Sequence, residues 1–440
     1  MSIRSKLGMF DLTMIIISLV IGVGIFKTPG IVARNAGTPF IFYTAWVAGG
    51  IISIFGALTF AEIGSRLPVA GGFYKIFSHC YHPAFAFMIN WSQLIALAGS
   101  AAAIALVGAE YIKPLVLPAT MQTELASRLI AFTMMVVLFA VNFSGIKMSA
   151  RVQNMLSVLK IGMILLLCLA VFGTKSADTG IATVVQPGGN PLKALGLAMI
   201  PVFYSWNGYQ YTINFGADIK NPQRSIPYAI FFGISIIMLL YIAINIAFCQ
   251  ALGFEHLQGK ELIAAELAKK FSGEAGFKVT SILIFISVIG FLNTSLMSNP
   301  RVYYAMAEDN ILPPIFKRVN EKTQTQEFAL TFFFALMALS LLFLKTFEKI
   351  LNDIIFINSL ALVFGTATVF ILRKRMADTG YTGFKVKPQV VIPAVFILFL
   401  LFICISVFVS DPVAAITGMA QFVIGFPLYH AIRKLNSVKL

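Results

Sequence analysis

Three stretches of this chain hold residue types that an apolar helix has little reason to keep. Gly22-Val23-Gly24-Ile25-Phe26 stands in the middle of an apolar run from about Met9 to Ala33. Each glycine costs a helix up to about 1 kcal/mol relative to alanine. Loosened backbone at membrane depth is tolerated only where protein or a water-filled cavity satisfies its N–H and C=O groups. The second stretch is Phe203-Tyr204-Ser205-Trp206-Asn207-Gly208-Tyr209-Gln210, preceded by Pro201. An aromatic packing seam is its plainer reading, but a seam does not need Asn-Gly, which is turn chemistry, in mid-span. The third is Lys160, which lies about 13 Å deeper than Arg151 at the helical rise per residue. That depth is near the middle of a ~30 Å hydrocarbon core. An ammonium there must pair with carbonyls or line a wet cavity, unless it merely reaches an inner vestibule.

Two broken helices facing one another have a definite chemistry. The exposed N–H groups at the start of a half-helix attract an anion, and the carbonyls freed at the end of another accept hydrogen bonds from a cation or ammonium. A free α-amino acid carries both charges on adjacent atoms and suits such a pair. The breaks fall in the first and sixth apolar spans. Five spans apart is an odd number, so the two enter the membrane from opposite sides, which points to an inverted-repeat transporter.

The elements that must position these residues are membrane helices. Of the 440 residues, 58% are hydrophobic and 12% charged, well outside ordinary soluble composition. The pattern predicts an all-α integral membrane protein of twelve transmembrane helices in one domain, residues 1–440. The spans are 9–33, 39–66, 83–112, 126–144, 149–173, 191–217, 226–252, 277–305, 327–345, 350–372, 388–410 and 413–432. The apolar segments lack the alternation that a β-barrel requires. The first run is too long for a signal peptide and has no small-residue cleavage site. The second span is rich in small residues (Gly49, Gly50, Ser53, Gly56, Ala57), which permits close helix packing. Segments 67–75 and 253–276 read as an interfacial turn and a long outer loop.

The net charge of +15 is topological. Arg66, Lys147, Arg151, Lys220, Arg224, Arg301, Arg373, Lys374 and Arg375 gather on the side where the chain starts, which places both termini in the cytoplasm. No nucleic acid partner is expected. Cys80, Cys168, Cys249 and Cys404 are scattered, so neither a metal site nor a disulfide framework is suggested. The histidines and carboxylates lie at loops or span ends, and no catalytic pair is visible at depth; an intramembrane enzyme is disfavoured and no cofactor is implied. The expected partners are a small-molecule amino acid and membrane lipid, with no obligatory protein partner. The aromatic group Tyr204, Trp206 and Tyr209, without an acidic residue at the breaks, favours a neutral substrate.

Several motifs in order resemble the amino acid–polyamine–organocation superfamily. They are Gly22 to Phe26, the stretch from Glu62 to Gly72, Asp218-Ile219-Lys220-Asn221-Pro222 through Pro227, and Asn299-Pro300-Arg301 with Glu308-Asp309-Asn310-Ile311-Leu312-Pro313. The likeness is greatest to L-type amino acid transporters and their bacterial relatives. It implies a LeuT-like five-plus-five inverted repeat, with residues 9–173 and 191–372 as the halves and 388–432 as two additional helices. It also implies discontinuous helices 1 and 6, and alternating access.

By position, the resemblance implies that the amides of Val23, Gly24 and Ile25 bind the substrate carboxylate. The carbonyls of Val20, Tyr204, Ser205 and Asn207 receive its amine, and Tyr204 is the gate over it. Lys160 matches the fifth-helix lysine whose ammonium stands in for sodium, with the Gly22 carbonyl and Ser298 as its expected partners. Val23 and Asn207 depart from the family's usual residues, removing a hydroxyl and altering the pocket floor. The expected function is a sodium-independent secondary transporter of neutral L-amino acids, exchanger or proton-linked, with a transporter-like sensor as the alternative.

Overall fold

The computed structural model of the chain describes residues 6–172, 190–258, 263–343, 347–377 and 380–437. The first apolar run is two helices in line, α1 (Met9–Val20) and α2 (Gly24–Ala36). They are followed by α3 (Pro39–Arg66), α4 (Gly72–Cys80), α5 (Pro83–Val116), α6 (Glu124–Phe143), α7 (Ile146–Phe172) and α8 (Pro191–Trp206). After them come α9 (Pro222–Leu252), the single turn α10 (Phe254–Leu257), α11 (Ile263–Glu308) and α12 (Glu327–Phe343). The last three are α13 (Phe347–Arg375), α14 (Val391–Ser410) and α15 (Pro412–Ser437). Extended pairing among the described residues is confined to two isolated bridges, Leu7 with Ile219 and Ala70 with Phe215.

Local chemistry starts several of these helices. Thr38, His82 and Asn190 each accept a bond from a backbone N–H of the first turn, at 3.3, 3.1 and 2.9 Å. Each is followed by a proline, whose fixed φ suits the first helical position and whose missing N–H is no loss there.

Ten helical segments among the described residues are long and apolar enough to cross a membrane, so the chain is an all-helical integral membrane protein. Two of the expected twelve spans are shorter: α8 has 16 residues and α12 has 17. For α8 the cause is local. Asn207-Gly208 ends it at Trp206, and the chain continues as tight turns over Tyr209–Asn214. The turn expected over 67–75 is confined to 67–71; α4 then starts at Gly72, entered through Gly71 at φ 62°. Much of the loop expected at 253–276 is the start of α11. The stretch Ala264-Ala265-Glu266-Leu267-Ala268-Lys269 is built of strong helix formers, and that propensity carries the helix past the apolar boundary.

The core that positions the breaks is α1 and α2 packed against α7, α8, α9 and α11, with α3 behind α8. The small residues of α3 seat α8: a side chain at Gly49 would run into Val202 and Trp206. At the end of the bundle where α1 begins, the chain is cross-tied. The Asp218 carbonyl accepts the N–H groups of Lys6 and Leu7, both at 2.8 Å, and Lys220 N–H donates to the Leu7 carbonyl at 2.9 Å. Arg301 Nε meets Asp218 Oδ2 at 2.6 Å. Glu62 is held by Arg66 at 2.8 Å, Arg373 at 2.6 Å and the Val386 N–H at 2.9 Å. Residues from the separate motifs of the sequence thus meet in space.

Candidate functional site

The first break is Ile21-Gly22-Val23. Ile21 N–H still donates to the Ile17 carbonyl at 2.8 Å, but Gly22 N–H turns back to Val20 at 2.9 Å. Helical bonding resumes when Phe26 and Lys27 donate to the Val23 carbonyl, both at 3.1 Å. The amides of Val23, Gly24 and Ile25 lie between these bonds. They are the donors that every helix N-terminus leaves without an intrahelical partner, and Val23 supplies no capping side chain.

The second break is Asn207-Gly208, with Asn207 extended and Gly208 at φ 130°, where L side chains rarely go. The Leu19 carbonyl approaches Gly208 so closely that any Cβ would overlap it. Glycine is required on both counts. Asn207 Oδ1 accepts the Gln210 amide, and Gln210 Oε1 accepts Gly208 N–H at 3.0 Å. The Asn207 side chain therefore holds the turn.

The breaks touch where α2 leaves α8. A Cβ on Gly24 would sit 3.0 Å from Ser205 Oγ and 3.3 Å from its Cα, tighter than side chains normally pack, whereas one on Gly22 would meet the Phe291 ring at an ordinary 3.6 Å. Thr28 Oγ1 and Ser205 Oγ share a hydrogen bond of 2.7 Å.

Between the breaks lies a cavity of about 70 Å³. Val20, Gly22, Val23, Gly24, Tyr204, Ser205, Asn207 and Ser298 all line it. Ile25 does not; its side chain is buried in the apolar core. The remaining walls are Leu19 and Gly208, Leu97, Ser100 and Ile104 of α5, Tyr211, Phe291, Ser295 and Asn299 of α11, and Ile355 and Asn358 of α13. None of the lining residues is an acid, a base or a histidine. Tyr204 of α8 and Ser100 of α5 both line the cavity.

Lys160 is fully buried. Its ammonium donates to Ser18 Oγ at 2.7 Å and to the Ile21 carbonyl at 2.8 Å. These replace the expected partners. Because Gly22 folds back on Val20, the carbonyl presented to α7 is that of Ile21, and Ser18 stands one turn below it on α1. Ser298 is on α11 and accepts a bond from Asn214 Nδ2 at 3.2 Å instead. Along the same seam Ser157 Oγ donates to the Met14 carbonyl at 2.9 Å and Asn154 to Asp11 Oδ1 at 2.7 Å.

Sequence reasoning missed Tyr241. This fully buried α9 residue holds its hydroxyl 3.1 Å from the Val20 carbonyl and 3.0 Å from that of Ser205. Its single proton serves one carbonyl at a time, so two carbonyls expected to face a substrate amine also meet a protein hydroxyl. In Met238-Leu239-Leu240-Tyr241-Ile242-Ala243 the tyrosine is one more large residue in an apolar helix, and no spacing marks it.

An amino acid permease family model matches residues 7–428. The serine/threonine exchanger SteT of Bacillus subtilis is 28% identical over 437 residues, covering 98% of each chain. The mouse large neutral amino acids transporter small subunit 2 is 26% identical, covering 97% of this chain and 81% of that protein. The human cystine/glutamate transporter is also 26% identical, with 97% and 85% covered. With matching sequence running from Leu7 almost to the end of α15, through both breaks and Lys160, this chain belongs to the amino acid permease family.

Proposed function

We propose that the protein exchanges neutral L-amino acids across the cytoplasmic membrane, without sodium, by alternating access. One observation carries the reading: the unpaired amides that start α2 face the carbonyl ends of α1 and α8 across a small cavity lined by no charged residue. In it the amides of Val23 and Gly24, which line the cavity, bind the carboxylate, with the Ile25 amide behind them as a third donor. The carbonyls of Val20, Tyr204, Ser205 and Asn207 receive the ammonium, in competition with Tyr241 at Val20 and Ser205. Tyr204 gates the cavity. Charges on a substrate side chain would be desolvated there without a partner. The Lys160 ammonium, bonded to Ser18 and Ile21, does the work of a sodium ion in holding α1 to its neighbours. SteT, named a serine/threonine exchanger, supports exchange of neutral substrates.

The architecture proposed with this function has twelve crossings, α8 and α12 included, as two inverted halves, 9–173 and 191–372, followed by 388–432. Both termini lie in the cytoplasm; residues 1–5 and 438–440 are outside the described residues. Accessibility of single cysteines introduced beside Arg66 and Lys113 tests that orientation. The name of one relative, "small subunit", denotes a larger assembly for that protein; for this chain we propose activity without an obligatory partner. The deciding experiment uses the purified chain in proteoliposomes loaded with unlabelled amino acid, choline replacing sodium. Labelled substrate is expected to accumulate by counterflow. Uptake that requires sodium would overturn sodium independence, and binding without counterflow would point to a sensor.

A further inference from the structure

Away from the cavity between the breaks, buried side chains form a hydrogen-bonded chain across four helices. Asn142 Nδ2 of α6 donates to the Leu138 carbonyl and to Asn293 Oδ1 of α11, both at 2.8 Å. Asn293 Nδ2 donates to Gln153 Oε1 of α7 at 2.9 Å and to the Ser149 carbonyl at 3.2 Å. Gln153 Nε2 donates to Ser157 Oγ at 3.2 Å. Ser157 Oγ lies 2.9 Å from the Met14 carbonyl of α1 and from the Gln153 carbonyl of its own helix. All four side chains are buried. The Leu138 and Ser149 carbonyls can only accept, so they fix which end of each asparagine is the NH2, and every amide link runs toward α1.

The start of this chain is incomplete. Both Nδ2 hydrogens of Asn142 are used, and its Oδ1 has no protein donor among the described residues. Asn142 lines a small pocket with Gln326, which is 2% exposed and whose Nε2 has no partner among the described residues. Leu296 and Pro300 of α11 line it too, and a proline has no N–H to give the carbonyl one turn back. Arg301, on the same wall, is spent on Asp218. A volume of about 20 Å³ is room for one water and little more, so a single molecule there touches every wall.

We propose that one buried water occupies this pocket, accepting from Gln326 Nε2 and donating to Asn142 Oδ1 and the Leu296 carbonyl, and so completes a relay that positions α1. The positioning role rests on the reading of the chain as an alternating-access exchanger. Three bonds are what a buried water typically makes. A water donating to Asn142 polarises its amide, and each later link is strengthened by the one before. Ser157 stands one turn before Lys160 on α7, and Met14 one turn before Ser18 on α1. The relay and the ammonium therefore grip the same half-helix one turn apart. Asn142, Asn293 and Gln153 do not line the cavity between the breaks; they are positioning residues that act through α1.

Two measurements test the proposal. In a cryo-electron map that resolves waters, a peak is expected at hydrogen-bond distance from both Gln326 Nε2 and Asn142 Oδ1. A map without that peak, or with the two amides bonded directly, overturns the water. Gln153→Met cuts the relay in the middle and leaves the Ser157 and Lys160 contacts with α1 in place. Counterflow in proteoliposomes of one orientation, with the neutral amino acid that the parent exchanges fastest, gives an apparent KM for each face. The variant should shift KM about 2- to 10-fold on the face where the chain begins and leave the other face unchanged. A merely structural defect lowers the maximal rate from both faces alike; that result, or equal KM shifts on both, overturns the positioning role. Asn142→Leu, at the far end of the relay, should move the same KM in the same direction, and it serves if Gln153→Met does not fold. A parent that exchanges no amino acid overturns the transport reading and the positioning role with it, whereas the water stands or falls by the map.

Discussion

Asp218 meets Arg301 at 2.6 Å and Glu62 meets Arg66 and Arg373 at 2.8 and 2.6 Å, whereas Lys160, equally buried, is met by a hydroxyl and a main-chain carbonyl. The carboxylates bind opposite charges and so tie α3, α11, α13 and the turn before α9 together at one end of the bundle. The Ile21 carbonyl is open to Lys160 only because α1 stops there and no helical N–H claims it. The lysine's stability and the shape of the break are therefore one property, and a charge with neutral partners is the one that can respond when the break moves.

Breaking an ion pair should have the largest effect on folding. Asp218→Ala strands the Arg301 guanidinium at 4% exposure, and a loss of roughly 3–5 kcal/mol is expected. It would be read as a large fall in apparent unfolding temperature in detergent. The double change Asp218→Leu with Arg301→Met should recover most of that loss, since no buried charge is then unpaired. Lys160→Ala should cost less stability, roughly 1–3 kcal/mol for the unpaired Ser18 and Ile21 groups. Its exchange rate should fall at least about 10-fold, because each ~1.4 kcal/mol lost from the transport-competent arrangement is tenfold. Exchange by this variant at the parent's rate would show that the lysine is only structural.

The glycines sharpen the same contrast within one break. Gly24→Leu should abolish uptake while the protein still folds, since its Cβ already crowds Ser205. Gly22→Ala has ordinary space beside Phe291 and should retain most of it. Equal uptake by the two variants would refute the placement of the binding amides. The smallest effect is expected from Tyr241→Phe, which removes one hydroxyl shared by two carbonyls, about 1 kcal/mol. Its signature is a several-fold change in apparent substrate affinity with little change in unfolding temperature.

Much of the fold was legible because its signals are local. Apolar run lengths mark most of the crossings, and glycine pairs and Asn-Gly mark the two interruptions. Errors arose where local propensity and hydropathy disagree. The Ala-, Glu- and Lys-containing start of α11 is helical although polar, and α8 ends early at a turn inside an apolar run. Val20, Val23, Gly24, Tyr204, Ser205 and Asn207, all of which line the cavity, could be named because the family resemblance places its binding groups at the two breaks. Ser18, Tyr241 and Asn358 could not. Ser18 lies in the regular part of α1 and the other two in unbroken helices; packing brings Tyr241 of α9 to the carbonyls of Val20 and Ser205, and Asn358 of α13 to the cavity wall.

What the sequence by itself determined is where helices fail and how far along its helix one lysine lies, since chain geometry and residue propensity decide both. What only the tertiary structure decided is which donor meets each freed carbonyl. A carbonyl released from a helix accepts any N–H or O–H brought within about 3 Å, and the choice among Lys160, Tyr241 and a substrate amine depends on neighbouring helices far away in the chain. The Ile21 carbonyl, one residue before the expected Gly22, is where that difference is plainest.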